Sequence, residues 1–214
     1  MIPIPETVRL FPLGEAVLFP DTLLPLHVFE PRYRKLLADA LDTDRTIGMA
    51  LFRREQDDDG TAVYTIGCAG RIVEHEVLHD GCSLIVVRGT VKFRIAEELE
   101  TDEPYRCIVP QALYEAPPSP EGARSWRDEL RRIVEDLARV HHGDLDAVGD
   151  MFGELDVIGM VNYLSAALRL DVIEKQSLLE CPTMEQRFAR LRDLLEFKVA
   201  EARLGLRPDR DADA

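Results

Sequence analysis

Two cysteines and two histidines fall within fifteen residues of this chain: Cys68, His75, His79 and Cys82. Zinc takes thiolate and imidazole together in tetrahedral sites. His75 and His79 are an even number of residues apart, so an unbroken strand would put both on one face. The spacing is C-x6-H-x3-H-x2-C, without a C-x-x-C knuckle, and it fits no established zinc pattern. The competing reading is a buried Cys68 with solvent-exposed hairpin histidines, and the expectation is no metal site and no cofactor.

The other reactive residue types assemble no better. Lys175 and Ser177 suggest a Ser-Lys hydrolase, but two residues apart on a helix they do not face each other. His141-His142-Gly143-Asp144 follows a helical pattern and reads as imidazoles at a helix C-terminus with a glycine stop. Asp57-Asp58-Asp59-Gly60 lacks the alternating ligands and the final glutamate of a calcium loop, and reads as a solvated turn. No nucleophile, base and orienting group can be gathered from these segments. The chain is expected not to be an enzyme.

Apolar residues make up 46% of the 214 positions and charged residues 31%, a soluble core-forming profile. The balance of 26 basic to 40 acidic residues leaves a net charge of −14. That opposes binding to phosphate backbones and to anionic membranes. No run approaches the ~20 apolar residues of a membrane span. The N-terminus has no basic stretch followed by an apolar one, so no signal peptide is expected. The four scattered cysteines suit reduced thiols and a cytoplasmic setting.

The elements follow from periodicity. Residues 1–115 read mainly as strands: Val8–Phe11, Ala16–Phe19, Ile47–Phe52, Val63–Ile66 and Tyr105–Leu113, with prolines keeping the first ones short. Arg71–Leu78 and Ser83–Ile95 flank Asp80-Gly81, which predicts a hairpin with a type I′ turn. One helix interrupts the strands. Pro31 suits its first turn, and Tyr33, Leu36, Leu37, Ala40 and Leu41 share a face.

Three prolines between residues 117 and 120 mark a connector, and 116–206 reads as a helical bundle. Ser119 and Pro120 open its first helix, with Trp126, Leu130, Ile133, Val134 and Leu137 inward. A second helix is predicted from Glu154 to Leu168, with Leu155, Ile158, Val161 and Leu168 inward. Asp171 with Glu174, and Thr183 with Gln186, have capping-box spacing. The last helix carries Phe188, Leu191, Leu194 or Leu195, and Val199, and stops at Gly205. Residues 207–214 read as a disordered tail.

Six fragments then carry a family resemblance. They are the opening Phe11-Pro12-Leu13-Gly14 to Tyr33, Ile47–Phe52, Ile66-Gly67-Cys68-Ala69-Gly70-Arg71-Ile72, Leu84-Ile85-Val86-Val87-Arg88-Gly89-Thr90-Val91-Lys92-Phe93-Arg94-Ile95, Glu103-Pro104-Tyr105, and Lys175–Glu180 with Glu185-Gln186-Arg187. In this order, over roughly 190 residues, they resemble the N-terminal, substrate-binding domain of Lon protease. The resemblance implies an α+β fold: a PUA-like β pseudo-barrel with one inserted helix, followed by a C-terminal helical bundle. It implies a non-catalytic module that recognises unfolded polypeptide or a protein partner. No Gly-Lys-Ser or Gly-Lys-Thr occurs, so no phosphate loop of the Lon ATPase is present. The expectation is a stand-alone Lon-domain protein, acting alone or with a separate ATPase or protease.

Pro25, Phe29, Tyr33 and Phe52 are the candidate contact residues, since peptide capture uses apolar grooves and sheet edges. The same four suit a core beneath the first helix, which their apolar character favours. Two other classes of function remain: a metal- or small-molecule-binding module, and a nucleic-acid binder by PUA-like analogy, against which the charge stands.

Overall fold

A computed structural model describes residues 4–53, 62–140 and 145–204. The acidic loop at Asp57–Gly60, the His141–Asp144 turn, the Gly205 stop and the 207–214 tail lie outside them.

Contacts divide the chain into two compact units, one running to Tyr114 and including Ser165–Glu180, the other holding Glu115–Leu164 and the residues from Cys181 onward. Residues 165–180 thus join the β unit rather than the 116–206 bundle expected from sequence.

The β unit contains β1 (Val8–Leu13), β2 (Leu23–Val28), α1 (Pro31–Leu41), β3 (Thr46–Leu51), β4 (Ile66–Val77), β5 (Ser83–Leu99) and β6 (Arg106–Ala112). The strand order is β2-β5-β4-β3-β1-β6, and β6 pairs again with β5. Five strands therefore close on themselves while β2 lies outside, along β5. Length makes this possible: β5 meets β2 through residues 83–88 and β6 through residues 93–99. Val8, Leu10, Ala50, Ala69, Val91, Phe93 and Ile108 alternate inward from these strands and form one core.

Two local expectations in the β unit are corrected. Ala16–Phe19 is not a strand: Val17, Leu18 and Phe19 are buried in an extended segment without ladder pairing. Pro20 ends that segment, and Thr22 folds it back, its hydroxyl donating to the Phe19 carbonyl at 2.8 Å. The strand comes next, at Leu23–Val28. The turn after β4 is not type I′, because only Gly81 has positive φ (77°). Gly81 N–H donates to the Leu78 carbonyl at 2.9 Å and Leu78 N–H to Cys82 at 2.8 Å, the pattern of a three-residue loop with glycine in the left-handed position.

Tyr33, Leu36, Leu37 and Ala40 are the buried face of α1. The Tyr105 hydroxyl donates to the Asp39 carboxylate at 2.7 Å, joining the residue before β6 to this helix. The Lys35 and Tyr105 hydrogen bonds hold the Asp39 carboxyl below the usual range. Burial first, then the bond to Asp39, push the Tyr105 phenol from 10.0 up to about 12. A raised phenol pKa means that the fold favours the protonated form. This contribution to stability is therefore complete below the unfolded value and is lost as pH rises from 10.0 to about 12. An ultraviolet titration should show a tyrosine ionising near the top of that window, and Tyr105→Phe should remove the step.

α5 (Val172–Leu179) completes this unit. Asp171 and Glu174 form the capping box read from sequence. Gln176 is buried and donates from Nε2 to the Ile66 carbonyl at 3.0 Å, satisfying backbone at the start of β4.

The helical unit contains α2 (Pro120–Val140), α3 (Leu145–Glu154), α4 (Val157–Ala167, whose last turn counts with the β unit) and α6 (Met184–Arg203). Ser119 caps α2, accepting from Gly122 N–H at 3.1 Å. Trp126 stacks on Phe188 with ring centroids 4.4 Å apart. The single helix expected over Glu154–Leu168 is corrected: the chain breaks after α3, and Asp156 caps α4 through Gly159 N–H at 2.7 Å. The inward face of α4 is Val157, Met160, Val161 and Leu164 rather than Leu155, Ile158 and Leu168. The Arg127 guanidinium donates to the Phe152 carbonyl and, at 2.6 Å, to that of Leu155, closing the end of α3. In α6, Leu195 faces inward with Phe188, Leu191 and Val199.

Candidate functional site

β2 places Leu26 and Val28 beside the end of β1, and the two residues that follow lead into α1. Between them lies an open cleft of ≈ 280 Å³ whose walls include Phe11, Leu26, Phe29, Tyr33 and Phe52. Tyr33 forms the floor, with Phe11 stacked on its ring at a centroid distance of 4.3 Å. Burial pushes the Tyr33 phenol up. The Arg32 guanidinium covers that ring at 4.6 Å and pairs with Glu30 at 2.8 Å. Phe29 stands at the lip, 58% exposed, its ring tilted against that of His27 at 5.6 Å. Phe52 is half-buried on the opposite side, tied by its N–H to the Leu13 carbonyl at 2.8 Å.

Three of the four candidate contact residues therefore share one cleft: Phe29, Tyr33 and Phe52. Pro25 does not. It lies one strand face away, exposed, in a different concavity. Phe11 and Leu26 had not been singled out. Had Leu23–Val28 been read as a strand, its period of two would have placed Leu26 next to Val28.

The Cys/His set is spread along the β4–β5 hairpin. Cys68 is fully buried, paired across strands with Met49 and Lys92. His75 is on the surface, its Nε2 3.2 Å from the Ser83 hydroxyl. His79 is exposed in the turn. Burial, with the Asp80 hydrogen bond second, raises the Cys82 thiol, which keeps it protonated at neutral pH. Among the described residues, no three His, Cys, Asp or Glu side chains converge on a point that could hold a metal. Lys175 donates to the Ala166 carbonyl at 2.7 Å, and burial lowers its pKa. Ser177 donates to the Glu174 carbonyl at 2.6 Å, so the two groups are engaged separately. No described helix is long and apolar enough to cross a membrane.

A five-stranded β pseudo-barrel with an inserted helix and following helices is the fold of Lon N-terminal domains. The N-terminal domain of the Mycobacterium avium complex Lon protease superposes with a TM-score of 0.71 at 17% identity, covering 89% of this chain and 98% of that one. The Lon N-terminal domain protein of Xanthomonas campestris does so with a TM-score of 0.62 at 24% identity, with the same coverage. The model of the ATP-dependent protease La (LON) substrate-binding domain matches residues 7–196, and the chain belongs to that family. It is 30% identical over 200 residues to the Lon protease of Trichlorobacter lovleyi, covering 90% of this chain and 24% of that protein. It is 26% identical over 181 residues to Lon protease 2 of Syntrophobacter fumaroxidans, covering 84% of this chain and 23% of that protein. The chain thus spans about a quarter of the length of these relatives.

Proposed function

We propose that this chain recognises polypeptide segments without a covalent step of its own, receiving an apolar side chain in the cleft beside β2. The observation that carries this reading is Phe29. A phenylalanine 58% exposed at the mouth of a pocket floored by stacked rings contributes little to the fold, which supports a role in covering a guest. Enclosing one leucine or phenylalanine side chain stabilises a complex by about 1.5–3 kcal/mol. Such affinity suits brief capture of unfolded chains. Family membership supports the same reading, and the relatives' names include proteases. The partners proposed are unfolded polypeptide or a protein partner in the cytoplasm, including a separate ATPase or protease. No cofactor is required.

The test compares a reduced, alkylated polypeptide with its native form by fluorescence anisotropy. Binding is expected for the unfolded form only. Phe29→Ala is expected to weaken it about tenfold, with a change in fold stability within about 0.5 kcal/mol. Equal binding of native and unfolded forms, or indifference to Phe29→Ala and Phe52→Ala alike, would remove the reading.

A further inference from the structure

The ribbon of β2, β5 and β4 has an outward face, distinct from the cleft. Its register sets three rungs: Leu23–Arg88–Arg71, Pro25–Val86–Glu74 and His27–Leu84–Glu76. Residues directly opposite one another project to the same side of a sheet, so the last two rungs share a surface. That surface is concave, ≈ 490 Å³, and Leu84 on its floor is 43% exposed. Glu74 and Glu76 are exposed along one wall and make no ion pair or hydrogen bond among the described residues.

Two observations narrow the occupant. The first is the edge. Gly89 N–H donates to the Thr22 carbonyl at 2.9 Å, so even-numbered residues of β2 bond to β5 and odd-numbered ones face outward. Pro25 is odd, and its lack of an N–H falls on the open side, where it interrupts any ladder a guest strand would extend. A partner must lie across the face rather than lengthen the sheet. The second is size. Three strands ~4.8 Å apart over a few rungs present roughly 300 Å². A stable dimer needs about 800 Å² from each partner. The face suits a short segment, not a second copy of the chain. The unpaired carboxylates set the sign of the charge beside them; Arg71 and Arg88, exposed one rung beyond, lie outside the concavity.

We propose that this face binds a short polypeptide segment in which lysine or arginine flanks an apolar residue. The apolar side chain rests on Leu84 and Val86, and the cation lies between Glu74 and Glu76. This rests on the polypeptide-binding reading and adds a charge preference to it, supplied by a second surface. The carboxylates are solvated, so the preference is modest and sensitive to salt.

The test uses the full chain and fluorescent seven-residue peptides with a central leucine flanked by lysine, glutamine or glutamate, alongside the alkylated polypeptide. The lysine peptide is expected to bind about fivefold tighter than the glutamine one, and the glutamate peptide weakest. Glu74→Gln with Glu76→Gln should bring the three within about twofold of one another. Glu74→Lys with Glu76→Lys should reverse their order. Equal affinities for the unaltered chain, or a lysine preference that survives the glutamine pair, would overturn the proposal. If the alkylated polypeptide still binds in that case, only the charge preference falls. If nothing binds, the polypeptide reading falls with it.

Discussion

Replacing Gly89 with alanine is expected to destabilise the β unit by about 3 kcal/mol, read as a lowered urea midpoint. A β-carbon there would stand 2.0 Å from the Phe19 carbonyl oxygen and 2.8 Å from its carbon. Both are backbone atoms, so no side chain can rotate away. The turn cannot retreat cheaply either. Asp21 N–H donates to the Gly89 carbonyl at 3.0 Å, and Gly89 N–H to the Thr22 carbonyl at 2.9 Å. Relief of the clash breaks those bonds and lifts Phe19, which is fully buried. Gly149→Ala is the contrast. Nothing lies within 4 Å of a β-carbon at that helical position, so the variant should be stabilised by up to about 1 kcal/mol. A midpoint that falls equally for both would exclude close approach as the cause.

Arg187→Leu should cost the helical unit about 3–5 kcal/mol. The Arg187 side chain is fully buried, donating to Asn162 Oδ1 at 2.8 Å and paired with Glu115 at 2.8 Å. The leucine fits the volume but takes the guanidinium away from the Glu115 carboxylate, 9% exposed, and from Asn162 Oδ1. Most of the loss is the penalty on the group left behind, not the worth of the pair. Arg187→Leu with Glu115→Leu should therefore recover most of it, and a double-mutant cycle in urea measures the difference. A double variant no more stable than Arg187→Leu alone would assign the cost to packing instead.

These two residues show what the chain discloses before it folds. Gly89 and Arg187 both lie in fragments that resemble Lon domains, yet the fragments do not say why a glycine or an arginine stands there. The reason lies in partners distant in sequence: the Phe19 turn for one, Asn162 and Glu115 for the other. Features decided within a few residues were legible. The α1 face, the Asp171 box and the Thr183 cap, which accepts from Gln186 N–H at 3.2 Å, depend on spacing alone. Strand β2 was obscured because Pro25 reads as a breaker, and only its place at a sheet edge makes it tolerable. The Glu154–Leu168 pattern ran across a helix break because Asp156 suits a cap as well as an exposed helical position. At the cleft, aromatic character alone could not separate Tyr33, buried under Phe11 and Arg32, from Phe29, open to solvent. The difference is set by which side of the β2–α1 junction each ring leaves.

Because Ser165–Glu180 belongs with the strands, the order of manufacture differs from the order of completion. A ribosome releases all six strands early, yet Ile66 must wait for Gln176, over a hundred residues later. At ~5–20 residues per second that is a delay of roughly 5–20 seconds. The strands are made before the helix that completes them, and a nascent chain stalled in the interval would carry an unsealed barrel.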